Sequence, residues 1–247
     1  MTIKPILFSA PMVQAILEGT KTQTRRIIKS KHESGLFQVG KTLDGVVTGI
    51  TSIDWDERPK NDTTNDIKPI ANVGDVLWCR ETWIQIHTDR EFEGRTSEYV
   101  YRADEKQNEE KFGDIWNGVG KRFIDSWKWK PSIFMPKRAC RLFLKVTGVR
   151  AERLHDITDG DAIAEGIIGV DRAGGYGYGL KQEWDYNFPL HEPTAILAYK
   201  ELWQSINGMD SWDANPWVWV YEFERIEKPD TWPYSIDINT LRGGSNG

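Results

Sequence analysis

Short apolar runs alternate with long polar ones along the chain, and the spacing inside each run predicts its element. Pro5-Ile6-Leu7-Phe8 reads as a strand. Ser9 is placed to cap a helix with Pro11 in its first turn; Met12, Val13, Ile16 and Leu17 fall on one face at helical spacing, and Gly19 ends it. The polar run Thr20 to Arg26 then forms a turn into strand-like Ile27-Ile28, so its side chains can point into a cleft. Val73-Gly74-Asp75 predicts a tight turn, and Val76 to Trp83 a strand crossing the core. Arg141 to Arg150 is β-branched and aromatic enough for a central strand, with Arg141, Lys145 and Arg150 as outward breaks. Thr158 and Asp161 have capping-box spacing, which predicts a short helix from Gly160 to Glu165 stopped by Gly166. Ile196, Leu197, Tyr199, Leu202 and Trp203 give the segment Pro193 to Ile206 an amphipathic helical stripe, and Trp217 to Phe223 alternates as a last strand.

Polar segments interrupt this plan. From Lys29 to Ala71 the chain is rich in Gly, Thr, Asp, Asn and Lys, as in loops or a peripheral hairpin, and a second charged stretch follows Asp89. These read as insertions at about 29–72 and about 87–130. Gly169 to Gly179 reads as a flexible loop and candidate lid; it does not follow a strand and open a helix, as a phosphate-binding glycine loop does. Beyond Glu227 the chain turns polar, and 228–247 is expected to be a disordered tail. The expectation is a single domain over 1–227: a mixed, mostly antiparallel sheet with three or four helices at its rim and no internal repeat.

Composition removes some functions. The 247 residues are 39% hydrophobic and 28% charged, an ordinary water-soluble balance. No segment reaches the roughly 18–20 uninterrupted apolar residues of a membrane span, and the start Met1-Thr2-Ile3-Lys4-Pro5 lacks the apolar stretch of a secretory signal, so a cytoplasmic protein with no membrane partner is expected. Cys79 and Cys140 form no CxxC and no disulfide framework. His32, His87, His155 and His191 stand at no metal-ligand interval, so neither a metal nor a cofactor is expected. A net charge of −5 opposes a grip on a long polyanion but leaves room for a small nucleic-acid-derived ligand. The 12 tryptophans, clustering at Trp78/Trp83, Trp127/Trp129 and Trp217/Trp219, serve either as core or as stacking platforms for a base.

The run Gly19-Thr20-Lys21-Thr22-Gln23-Thr24-Arg25-Arg26, placed after a helix and before a strand, resembles the GxKxx(E/T)xR signature of the ASCH family, a branch of the PUA-like superfamily. The order of the remaining parts, with Gly74-Asp75 opening a strand and Asp161 to Gly166 as a short later helix, is similar to uncharacterised ASCH proteins of phages and prophages. About two-thirds of the chain is covered, outside the insertions and the tail. The resemblance implies an α+β, PUA-like, mostly antiparallel β-barrel with peripheral helices. It also implies the activity of the small bacterial members, amidohydrolases that remove the acyl group from N(4)-acetylcytidine, with Lys21 as base, Thr24 as nucleophile, Glu165 as acid and Arg26 lining the pocket. Other members are linked to RNA binding or ribonuclease activity, and fold does not decide among these.

The residues can be weighed without the family. Amide cleavage needs a nucleophile, an acceptor for its proton and a donor for the departing amine. The Thr24 hydroxyl is inert unless a base reaches it, and Lys21 qualifies if burial and Arg25 or Arg26 lower its pKa. Glu165 can protonate the amine if its surroundings keep it neutral. Each also has a plain structural reading: a solvated basic turn for Lys21, Arg25 and Arg26, and an exposed helical carboxylate for Glu165. Trp78, Arg80 and Glu81 are further substrate-binding candidates, although neighbours on a strand point to opposite faces. Lys137, Arg138 and Arg141 form a basic patch suited to a phosphate. The functional expectation is therefore a metal-independent N(4)-acylcytidine amidohydrolase acting on a nucleoside or nucleotide. A non-catalytic module for RNA or a modified nucleotide is the alternative, and a ribonuclease comes third, weakened because no histidine lies near the signature.

Overall fold

A computed structural model describes residues 1–29, 36–41, 47–53, 67–90, 94–104, 107, 128–172, 175–180 and 192–233. The fold is mixed α+β. Its strands are β1 (Ile3–Leu7), β2 (Gln23–Ile27), β3 (Leu36–Lys41), β4 (Val47–Ile53), β5 (Val76–Arg80), β6 (Trp83–Arg90), β7 (Gly94–Tyr101), β8 (Phe143–Arg153), β9 (Ile168–Arg172), β10 (Gly175–Gly179) and β11 (Trp217–Ile226). Its helices are α1 (Ala10–Leu17), α2 (Asp159–Ala164) and α3 (Ala195–Asn207). Five strands follow the order β1-β5-β8-β11-β2, and β3-β4, β6-β7 and β9-β10 form two-stranded sheets. Among the described residues no pairing closes these strands into a barrel, so the expected barrel does not stand beyond an α+β sheet architecture.

The described residues form two compact units, one within Met1–Gln14, Asp75–Lys145 and Arg225–Gly247, the other within Ala15–Gly74 and Val146–Glu224. In the first, β1 runs parallel to β5, and Val76, Leu77 and Trp78 pair antiparallel with the start of β8. Its core gathers Trp78, Trp83, Met135, Phe143 and Trp232, with the Trp232 ring 5.2 Å from Trp78 and 5.1 Å from Phe143. In the second, β11 pairs antiparallel with β2. Ile28, Ile50 and Ala151 pack there with Phe37, Ile67, Trp217 and Trp219. The described tryptophans thus answer first to packing, as large aromatic area requires.

Several expectations shift for physical reasons. The strand expected over Val76 to Trp83 breaks at Glu81-Thr82 into β5, in the five-stranded sheet, and β6, which pairs with β7 while the Trp83 N–H and carbonyl also bond to Lys130. Gly169 to Gly179 is not a loop but the hairpin β9-β10, whose tyrosines alternate with glycines, so that Tyr176 lies over Gly169 where no Cβ stands in the way. The first insertion does contain a hairpin, β3-β4, and β7 lies within the second. The residues 105–106 and 108–127 of that insertion, Trp127 with them, and 234–247 of the expected tail lie outside the described residues.

The helix ends follow their sequence signals. The Ser9 carbonyl accepts the Val13 N–H at the start of α1, and Gly19 adopts φ +80 after its end. Thr158 caps α2 in a reciprocal capping box with Asp161. Gly166 sits at φ +102, and a Cβ there would lie 3.1 Å from the Ala15 Cβ and 3.3 Å from the Lys21 Cβ. This glycine lets the end of α2 come down on the turn after α1. We predict that Gly166→Ala costs about 1–3 kcal/mol through left-handed backbone strain and crowding. Urea unfolding measures it, and an unchanged midpoint would refute the close-approach role.

Candidate functional site

The second unit brings Lys21, Arg25 and Glu165 together. After α1 the N–H groups of Thr20 and Lys21 both donate to the Ala15 carbonyl, which turns the chain through a tight bend. Lys21 then bridges to Glu165, and the Thr22 N–H donates to the Ala164 carbonyl at 2.8 Å, so the first residues after the bend lie along the end of α2. The Lys21 ammonium donates to the Gln23 carbonyl at 2.9 Å, the Glu165 carbonyl at 2.7 Å and Glu165 Oε2 at 2.6 Å. Lys21 and Glu165 are 1% and 2% exposed, so this is an ion pair fully removed from water. Burial pushes the Lys21 pKa below its ordinary value, further helped by Arg26 and Arg25, while Glu165 pulls it back up.

Arg25 supplies the second cation. Its Nη1 lies 3.3 Å from Glu165 Oε1, and its Nη2 and Nε donate to Glu152 Oε1 at 2.6 and 3.1 Å. Asp161 Oδ1 is 3.5 Å away, and the guanidinium stands 5.9 Å from the centre of the Tyr199 ring. Against its burial, Glu165, Tyr199 and Glu152 hold the Arg25 pKa above its ordinary value. The Tyr199 hydroxyl faces Glu165 Oε1 at 3.5 Å, and burial and that carboxylate raise its pKa well above the usual phenol value. The network reaches the surface through Arg150, which binds Glu152, Asp161 and Glu222.

Thr24 stands apart from this network. It is 1% exposed, and its Oγ1 has no hydrogen-bond partner. Strand alternation explains this, because β2 begins at Gln23 rather than at the expected Ile27. Gln23 and Arg25 face the α2 carboxylates, while Thr24 and Arg26 face the other way. The arginine that meets Glu165 is therefore Arg25, while Arg26, expected to line the same pocket, donates from Nη1 to the Arg25 carbonyl at 3.2 Å. A buried hydroxyl left idle costs about 1–3 kcal/mol.

The other candidates have partners in the first unit. Trp78 is buried in the core, and the Arg80 guanidinium lies 5.4 Å from its ring. Glu81 is buried and accepts from Arg141 Nε and Nη2 at 3.0 and 2.9 Å, while Arg141 Nη1 donates to Asp104 at 2.6 Å. Burial raises the Glu81 pKa against the pull of Arg141. With two carboxylates on its fork, Arg141 is not a free phosphate contact. Lys137 lies 5.8 Å from the Trp232 ring centre, and Arg138 Nε donates to the Tyr99 hydroxyl at 2.6 Å. Among the described residues no three His, Cys, Asp or Glu side chains gather as metal ligands, and no helix is long and apolar enough to cross a membrane.

Sequence reasoning missed Glu152, Asp161 and Tyr199 as members of the cluster. Asp161 was visible only as a capping residue and Tyr199 only as part of an apolar stripe, while Glu152 lies past the expected end of its strand. No family model, curated protein or solved structure matches the chain.

Two measurements test the site's energetics. Lys21→Met alone strands a buried carboxylate and is expected to cost about 3–5 kcal/mol, whereas Lys21→Met with Glu165→Leu costs far less than the sum of the two single changes. Urea unfolding of the four proteins gives the coupling, and additive costs would show the pair to be uncoupled. For Asp161, burial raises the pKa, but hydrogen bonds from Thr158 and Gln23 and the charge of Arg25 outweigh it and hold the group down at about 2. A carboxylate depressed in the folded state stabilises above its unfolded pKa of about 3.9, and that stability is lost as pH falls. The Tm of Asp161→Asn should therefore lie below wild type at pH 7 and approach it as pH falls from about 4 to about 2. A gap that does not narrow contradicts the depressed value.

Proposed function

We propose that the protein is a metal-independent amidohydrolase of N(4)-acylated cytosine nucleosides or a related modified nucleotide, on a PUA-like fold of the ASCH type. The observation that carries this reading is the buried, partnerless hydroxyl of Thr24, three residues after a lysine that shares a 2.6 Å contact with Glu165. An idle hydroxyl in the interior is costly, and a nucleophile awaiting its acyl group is a reason for the cost to persist. The choice of an acylated cytosine rests on the likeness of the Gly19 to Arg26 run to the family signature.

The residues suit the roles as follows. Burial favours neutral Lys21, and a proton moved from Lys21 to Glu165 makes the lysine a base and the glutamic acid a donor in one transfer. Thr24 Oγ1 attacks the acyl carbon, its proton passes to Lys21, and the C–N bond breaks as Glu165 protonates the cytosine amine. Water then releases the acyl group from Thr24. Thr24 lies on the face of β2 turned away from Lys21, so Lys21 has to give up its present contacts and the turn before β2 has to rearrange before the two groups meet, which substrate binding would have to drive.

Those same contacts favour a second reading. With each N–H of the ammonium held by an oxygen, Lys21 can act as fixed structure, and the protein as a non-catalytic module that binds RNA or a modified nucleotide.

Incubation with N(4)-acetylcytidine decides between them. Wild type is expected to release acetate and cytidine, and Thr24→Val to lower the rate by about 10²-fold or more. Saturable binding without turnover of any acylated cytosine would establish the second reading in its place.

A further inference from the structure

The face of the β2-β11 pair turned away from Lys21 carries an unusual set of side chains. The register sets Thr24 opposite Tyr221 and Arg26 opposite Trp219, so these four side chains share one face. The ladder continues with the Ile28 N–H donating to the Trp217 carbonyl, and Ile28, Trp217 and Trp219 join one apolar cluster with Ile50 and Ile67. Within this apolar frame two polar atoms are buried without a partner, Thr24 Oγ1 and Trp219 Nε1. A third group, the Tyr221 hydroxyl, accepts from the Ile70 N–H at 2.8 Å and keeps its own proton to donate.

We propose that this face is a binding site for a planar ring bearing carbonyl acceptors, of which the O2/N3 edge of a cytosine is an example, with Trp219 and Tyr221 as specificity residues beside Thr24 and Arg26. The inventory sets the ligand's chemistry. The Trp219 indole N–H and the Arg26 guanidinium only donate, the Tyr221 hydroxyl has its acceptor side occupied, and Thr24 alone can do both. Such a set fits an acceptor-rich edge and leaves a donor-rich edge unpaired. Flanking indole rings and aliphatic side chains suit a flat, mostly apolar body. Neither partnerless atom is explained by the fold, since among the described residues no bond uses them.

The inference deepens the proposed function and rests on it for the choice of ring, but it does not need turnover. The test is equilibrium binding of cytidine, followed by calorimetry or tryptophan fluorescence, to wild type, Thr24→Val and Trp219→Phe. Thr24→Val keeps the shape and deletes one hydrogen-bonding group, whereas Trp219→Phe deletes the indole N–H together with part of a packed ring. Each is expected to weaken cytidine binding about tenfold. Because the deleted hydroxyl has no partner in the free protein, the Tm of Thr24→Val without ligand should stay level or rise. A structural role would do the reverse, lowering the Tm and leaving affinity unchanged, and either that pattern or a lack of saturable binding by wild type overturns the site.

The outcomes separate this site from the enzymatic reading. Cytidine binding that depends on Thr24 and Trp219, with no acyl release, keeps the site and removes the hydrolase. Acyl release with a KM unaffected by Trp219→Phe keeps the hydrolase and removes the site.

Discussion

A lysine ammonium taken out of water must be surrounded by oxygen atoms, and the local structure of the second unit is organised by meeting that demand for Lys21. Its three acceptors come from Gln23, two residues on, and from Glu165, 144 positions away. Satisfying both sets fixes where the turn after α1 ends, where β2 begins and how α2 terminates. Gly166 belongs to the same solution, because its missing Cβ lets the end of α2 approach Ala15 and Lys21. Arg25 extends the arrangement outward: the carboxylates grow more exposed from Glu165 through Glu152 to Asp161, and Arg150 closes the series near solvent. Water thus screens the outer pairs, while the inner pair depends on geometry alone.

Much of this was legible in the sequence wherever one residue carries a local geometric demand. Ser9, Gly19, the Thr158/Asp161 box and Gly166 each announce a helix end, and each end is found within a residue or so of its signal. The meeting of Lys21 with Glu165 could be expected only through the family likeness, since no local rule links positions so far apart. The identity of the neighbouring arginine was not legible, because it depends on the phase of β2. Thr20 to Arg26 is polar throughout, and a strand whose buried face is ionic shows no hydrophobic alternation to set that phase. Once β2 is seen to start at Gln23, Arg25 must face the carboxylates and Arg26 must not. The β9-β10 hairpin was hidden for a related reason: glycine was read as loop, whereas here it leaves room for tyrosine rings on the paired strand.

The two faces of β2 differ in what a ligand could add to them. On the Lys21 side nearly every polar group has a partner, so a ligand would have to break bonds before making any. On the Thr24 side a hydroxyl and an indole N–H are buried with nothing to bond, so a ligand reaching them makes hydrogen bonds there without breaking any of theirs. The proton inventory sharpens the contrast. With Glu165 ionised, all three N–H groups of Lys21 are in use; with the proton on Glu165, the lysine lone pair faces that proton. In the first form Lys21 carries no lone pair, and in the second the pair points at Glu165 rather than Thr24 until one of the three contacts opens. On the proposed function, recognition falls to the Thr24 face, and catalysis requires in addition that a ligand bound there draw Lys21 away from Gln23 or Glu165.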